Sequence, residues 1–105
     1  MMQPYMILVM AHDERKQGEL NDNIEMLDLL DTLRRKYDMV RLEEYYNDNL
    51  TVYLGEEIYA FRTKDIGTGE VIGEIYKFEN MGELEEYVIK ELGEEEFEEV
   101  AYLLK

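Results

Sequence analysis

Two stretches near the middle of this 105-residue chain carry almost the same phrase, Glu57-Ile58-Tyr59-Ala60-Phe61 and Glu74-Ile75-Tyr76-Lys77-Phe78. Each follows a turn signal, Gly55-Glu56 before the first and Asp65-Ile66-Gly67-Thr68-Gly69 before the second. Aromatic and β-branched side chains at this density favour the pleated, half-buried surface of a sheet. With Thr51-Val52-Tyr53-Leu54 ahead of the first turn, they predict a middle built from consecutive strands. The phrase is too short to mark a repeat domain. Neighbouring antiparallel strands that stack aromatic and β-branched residues across the pair explain it.

The N-terminal part reads differently. Tyr5 to Met10 is a short apolar run between Pro4 and His12-Asp13-Glu14, which suits a buried strand, though a helix start has the same pattern. Residues 11–23 are polar, contain Gly18 and read as a loop. Asp22 with Glu25 has capping-box spacing and announces a helix. Ile24, Leu27 and Leu30 mark its apolar stripe, Met26, Leu29 and Leu33 widen it, and Asp28, Asp31 and Arg35 lie opposite. Arg34, Arg35 and Lys36 fall in the last turn, where cations complement the helix dipole. Met39–Tyr46 fits two structures: a strand closing on Asn47-Asp48-Asn49, or an extension of that helix.

At the other end Asn80 and Glu83 repeat the capping pattern, and Leu84, Val88 and Leu92 recur every four residues with Tyr87 beside them. Gly93 is placed as a helix-ending glycine, and a last helix follows with Phe97, Val100, Ala101 and Leu104 on its inner face. The expected architecture is α+β in one domain over residues 1–105. A small antiparallel sheet of about four to five strands packs against one helix from the N-terminal half and two C-terminal helices.

Charge narrows the function. The chain has 26 Asp and Glu against 11 Lys and Arg, a formal −15. About half of the excess falls at the end, where Glu79, Glu83, Glu85, Glu86, Glu91, Glu94, Glu95, Glu96, Glu98 and Glu99 meet only Lys90 and Lys105. Such a field repels nucleic acid and anionic membranes and attracts basic surfaces. A hydrophobic fraction of 46% separates this composition from that of a disordered acidic tail. With no Cys there is no disulfide, thiol catalysis or thiolate metal site. The apolar run ending at Ala11 is far shorter than the roughly 20 residues that span a bilayer. No secretory pattern precedes it, so a cytoplasmic location is expected.

No catalytic signature emerges, and the expectation is a protein that is not an enzyme and needs neither cofactor nor metal. His12 lacks convergent ligands and reads as an exposed loop residue. Gly67-Thr68-Gly69 lacks the Gly-Lys-Ser/Thr and the helix of a phosphate loop. Carboxylate pairs are too numerous to rank as acid–base machinery. Two features stand out instead. Glu94, Glu95, Glu98 and Glu99 share one face of the last helix, as Glu83 and Glu86 do on the helix before it. Like charges at these steps repel, which a solvated face tolerates and a basic partner relieves. In the middle, Glu44, Tyr45, Tyr46 and Asp48 place acids beside tyrosines, which serve as interface anchors. By contrast, Tyr53, Tyr59 and Tyr76 are expected to cover sheet faces.

These residues predict a small acidic binding protein that inhibits or masks a nucleic-acid-binding enzyme, its carboxylates standing where phosphates normally lie. The partner would be a basic protein, with no direct binding to nucleic acid. In size, charge and lack of catalytic residues the chain is similar in general character to phage and mobile-element inhibitors of host nucleases, anti-CRISPR proteins among them, and to nuclease immunity proteins. That likeness covers no motif, and no family is assigned. The alternative is an adaptor that pairs through its sheet and tyrosines with another domain or with a second copy as a homodimer, its acidity serving solubility alone.

Overall fold

The computed structural model describes residues 4–11, 24–65, 67 and 70–104. Among these residues, five strands and three helices follow one another as β1 (Met6–Ala11), α1 (Ile24–Lys36), β2 (Asp38–Tyr45), β3 (Asp48–Leu54), β4 (Ile58–Asp65), β5 (Glu70–Phe78), α2 (Met81–Leu92) and α3 (Glu94–Val100). A 3-10 turn, Ala101–Leu104, closes the described chain. The strands form one sheet in the order β1-β5-β4-β3-β2, and every neighbouring pair is antiparallel. The architecture is the α+β arrangement expected, with β1 and β2 at opposite edges.

Strand periodicity gives the sheet two covered faces. Val52 and Tyr53 are consecutive, so they point to opposite sides, and both are buried. Val52 joins Leu42, Leu50, Ala60 and Phe78 beneath Leu84, Tyr87 and Val88 of α2 and Leu104. Tyr53 joins Tyr59 and Ile75 beneath Met26, Leu30 and Leu33 of α1. The N-terminal-half helix therefore covers one face and the C-terminal helices the other.

The repeated phrase lies on adjacent strands, as its composition predicts. Ile58 pairs with Phe78, Ala60 with Tyr76, and Tyr59 with Lys77. This register puts the two copies out of phase. Tyr59 faces α1, whereas Tyr76 faces α2, its ring centroid 4.4 Å from that of Tyr87. Each hydroxyl donates to the glutamate two residues before it, Tyr59 to Glu57 at 2.5 Å and Tyr76 to Glu74.

Residues 38–45 are strand, which decides between the two alternatives for this segment. The register with β3 shifts between Arg41 and Glu43. Such a bulge sets two successive residues against one partner residue. Leu42, in phase with Val40, enters the core under α2, and the shift turns Glu43 to the same face, opposite Leu50.

In α1 the buried stripe is Met26, Leu30 and Leu33, while Leu27 is 44% exposed. The apolar set of this helix is wide enough for either phase, and the tyrosines of the sheet select one. In α2 the Asn80 side chain accepts from the Glu83 N–H at 2.9 Å, and the Glu83 carboxylate accepts from the Glu79 N–H at 2.8 Å. Gly93, at φ 89°, donates its N–H to Ile89 O and ends the helix. Phe97, Val100 and Leu104 then pack inward as expected. Residues 12–23, with His12, Gly18 and Asp22, lie outside the described residues, as do Ile66, Thr68 and Gly69.

Candidate functional site

The β2–β3 hairpin closes on the pair Tyr45–Asp48, leaving Tyr46 and Asn47 as its turn. Hairpin turns of this length need positive φ and normally recruit Gly, Asn or Asp. Tyr46 adopts φ 49° and is 87% exposed. A bulky side chain in the left-handed region costs on the order of 1–2 kcal/mol, so the turn presents this ring at the expense of stability. Tyr45 is also exposed, and its ring meets that of Tyr46 edge-on at 4.7 Å. Polar contacts brace the tip. Asn49 Nδ2 donates to Tyr46 O at 3.2 Å and Asp48 Oδ1 accepts from the Asp65 N–H at 3.0 Å.

Beside the tip lies a cleft of about 420 Å³ lined by Leu42, Glu43, Glu44, Tyr45, Asp48, Arg62 and Glu96. A second depression, about 480 Å³, is lined by Leu92, Gly93, Glu94, Glu95, Glu96 and Glu99. Glu96 belongs to both. Two acidic segments roughly 50 positions apart in sequence therefore form adjoining walls. Gly93 makes this possible: α3 begins directly after it, with Phe97 N–H bonded to Gly93 O at 3.0 Å, and Glu96 falls in the first turn.

Behind the cleft is a buried ionic cluster. Arg62 Nη1 donates to Glu43 Oε1 at 2.5 Å, and Arg62 itself is 8% exposed. Arg62 Nε and Lys64 Nζ approach the same Glu91 oxygen at 3.0 and 3.1 Å, ion-pair contacts without hydrogen-bond geometry. The Tyr87 hydroxyl is buried nearby with no well-formed hydrogen bond among the described residues. Burial pushes its pKa up, and the Glu91 charge adds to the shift. Arg62 is thus set among three carboxylates, Glu43, Glu91 and the cross-strand Glu74, with the half-exposed Lys64 as the second cation.

The residues singled out from sequence separate accordingly. Glu94, Glu95, Glu98 and Glu99 are all exposed on α3, and Glu94, Glu95 and Glu99 line the second depression. Glu44, Tyr45 and Asp48 line the cleft; Tyr46 stands at the turn beside it. Glu44 also pairs with Arg41 at 3.0 Å. Glu83 is half-buried and engaged in the α2 cap, while Glu86 is exposed on the same helix and lines neither hollow. Sequence reasoning missed Glu96, which reads as an ordinary first-turn acid, and the Glu43–Arg62 pair, whose partners lie 19 positions apart.

Among the described residues no group of three or more His, Cys, Asp or Glu is placed to hold a metal ion, and no helix is long and apolar enough to cross a membrane. No family model matches the chain, and neither a curated protein nor a solved structure matches it.

Proposed function

We propose that this protein works by binding, and that it inhibits or masks a nucleic-acid-binding enzyme by laying a carboxylate-lined surface into that enzyme's basic groove. The observation that carries this reading is the shared position of Glu96, which joins the hairpin acids Glu44 and Asp48 to the α3 acids Glu94, Glu95 and Glu99 along two adjoining hollows. Duplex DNA presents about one charge per 1.7 Å of axis. A continuous strip of carboxylates suits a groove lined for that density better than scattered acids do. Tyr45 and Tyr46 supply apolar anchors at one end of the strip.

The test is inhibition of purified nucleases and CRISPR-type effectors, with duplex DNA as competitor and salt varied between about 50 and 200 mM. Inhibition should weaken steeply with salt and with added DNA. The combined change Glu94→Gln, Glu95→Gln, Glu98→Gln and Glu99→Gln should slow association about tenfold or more while leaving the fold intact. Inhibition indifferent to salt, or to the fourfold change, would sink the proposal.

A second reading has one observation in its favour. The edge strand β1 is Met-Ile-Leu-Val-Met-Ala, with Ile7 55% exposed and Tyr5 next to the strand 53% exposed. Edges are normally guarded by charge or by bulges, as β2 is by Asp38, Arg41, Glu43, Glu44 and its register shift. Pairing of two copies through β1 is the adaptor alternative. It responds to salt in the opposite direction, because screening relieves repulsion between two chains of formal charge −15.

A further inference from the structure

At the other end of β3 from the acidic cleft, two tyrosine rings, one of them backed by a third, flank a lysine of the same chain. The Tyr59 ring lies 6.4 Å from the Tyr5 ring and 5.9 Å from the Tyr37 ring, centroid to centroid. The Lys77 ammonium stands 5.7 Å from the Tyr5 centroid and 5.9 Å from the Tyr59 centroid. It also pairs with Glu57, at 3.1 Å, whose carboxylate accepts a hydrogen bond from the Tyr59 hydroxyl. Ring faces plus one carboxylate are the chemistry by which proteins recognise alkylammonium groups.

The backbone is shaped to hold this arrangement. A Cβ on Gly55 would sit 2.7 Å from the Tyr37 ring, so only glycine at that position lets the ring lie against the turn. Tyr59 is anchored in the core, whereas Tyr5 is more than half exposed and Lys77 and Glu57 have side chains 43% and 44% exposed. The Glu57 pKa is lowered first by the Tyr59 hydrogen bond and then by Lys77, which keeps the carboxylate charged. Beside the cage lies a hollow of about 610 Å³ lined by Gly55, Glu56, Glu57, Ile58, Lys77, Phe78 and Glu79. It gives the lysine room to withdraw, and its three carboxylates against one ammonium draw in another cation.

We propose that Tyr5, Tyr59 and Glu57, with Tyr37 backing the Tyr59 ring, form a binding site for the ammonium of a lysine side chain on a partner protein, occupied in the free chain by Lys77 acting as an internal ligand. A protein side chain fits better than a free small molecule because the cage is shallow. Only part of the cation is enclosed, and flanking contacts at the acidic rim of Glu56 and Glu79 must complete recognition. An internal competitor lowers apparent affinity by the fraction of time it occupies the site. The site lies apart from the α3 strip, and neither reading depends on the other.

The experiment titrates the whole chain with a short Gly/Ser-flanked peptide bearing one lysine, following tyrosine ring resonances by NMR. Norleucine at the lysine position is the control, and tetramethylammonium is the small-molecule arm. Lys77→Ala should bind the lysine peptide roughly five- to tenfold more tightly than the unaltered protein. Lys77→Gln should do the same if alanine perturbs the strand. Adding Tyr5→Ala or Glu57→Gln to Lys77→Ala should abolish the gain, and the norleucine peptide should leave the rings unshifted. The proposal is overturned if neither Lys77 variant gains affinity, or if norleucine binds as lysine does. Binding of tetramethylammonium without binding of the peptide overturns the assignment to a protein side chain.

Discussion

The two copies of the Glu-Ile-Tyr phrase end in contrasting surroundings. On the α1 face Tyr59 donates to Glu57, and Glu57 shares its charge with Lys77 at the open surface. On the α2 face Tyr76 donates to Glu74, but its ring is pressed against Tyr87 beside the buried Arg62–Glu91 contact. The hydrogen bond between residues two apart is a local property, and both copies have it. Whether the ions around it stay in water is decided by which helix lies over them. The same phrase thus yields a screened, exchangeable ion pair on one face and a desolvated cluster on the other.

The largest effect should come from removing the buried cation. Arg62→Ala leaves Glu43 and Glu91 without their shared partner and should cost about 3–5 kcal/mol in urea denaturation. Lys77→Ala, beside the other copy, should leave the midpoint close to where it was, since its ion pair is exposed. Equal losses from the two changes would erase the contrast.

Alkaline pH probes both faces. Burial is the first cause that raises the pKa of Tyr59, Tyr76 and Tyr87 above the ordinary 10.0. A tyrosine whose folded pKa is raised contributes stability that is complete below its unfolded pKa and lost as pH climbs beyond it. Stability should therefore fall above about pH 10. Tyr87→Phe and Tyr59→Phe should each flatten that fall by a similar amount, because both hydroxyls keep their protons in the folded chain while the unfolded chain loses them. Denaturation midpoints measured from pH 8 to 11.5 would check it, and variants that fall as steeply as the unaltered protein would refute it.

The smallest effect is a difference in sign at neutral pH. Tyr59→Phe removes a made hydrogen bond and should cost about 1 kcal/mol, whereas Tyr87→Phe removes a buried hydroxyl with no well-formed hydrogen bond among the described residues and should be neutral or slightly stabilising. A clear loss on Tyr87→Phe would mean that the hydroxyl is satisfied after all.

Much of this fold was legible in the residues. The β3–β4–β5 run declares itself through its aromatic and β-branched composition and through turns that need only neighbouring residues. The α2 cap does so through Asn80 and Glu83, three positions apart. Less legible were features that depend on a distant surface. Met26 and Leu27 are equally apolar, and only the position of Tyr53 and Tyr59 decides which is buried. Residues 38–45 mix charged and apolar positions in a way that satisfies both periods until β3 offers hydrogen-bond partners. The candidate site was half legible. Its acids and tyrosines stand out by type, but Glu83 is engaged in a cap, and Glu96 connects the hairpin to α3 only after the chain folds.

By itself, then, the sequence determined the strands of the middle, the capped helix α2 and the helix that follows Gly93, the excess of acid and the absence of thiol chemistry, because each rests on residue type or on spacing within a few positions. Tertiary structure alone decided which face each tyrosine serves, which acids are neutralised by Arg62 and Lys64, and which remain at the surface. Those outcomes depend on the parity of antiparallel register and on which helix displaces water from which face. Both are set by long-range packing, which local spacing does not encode.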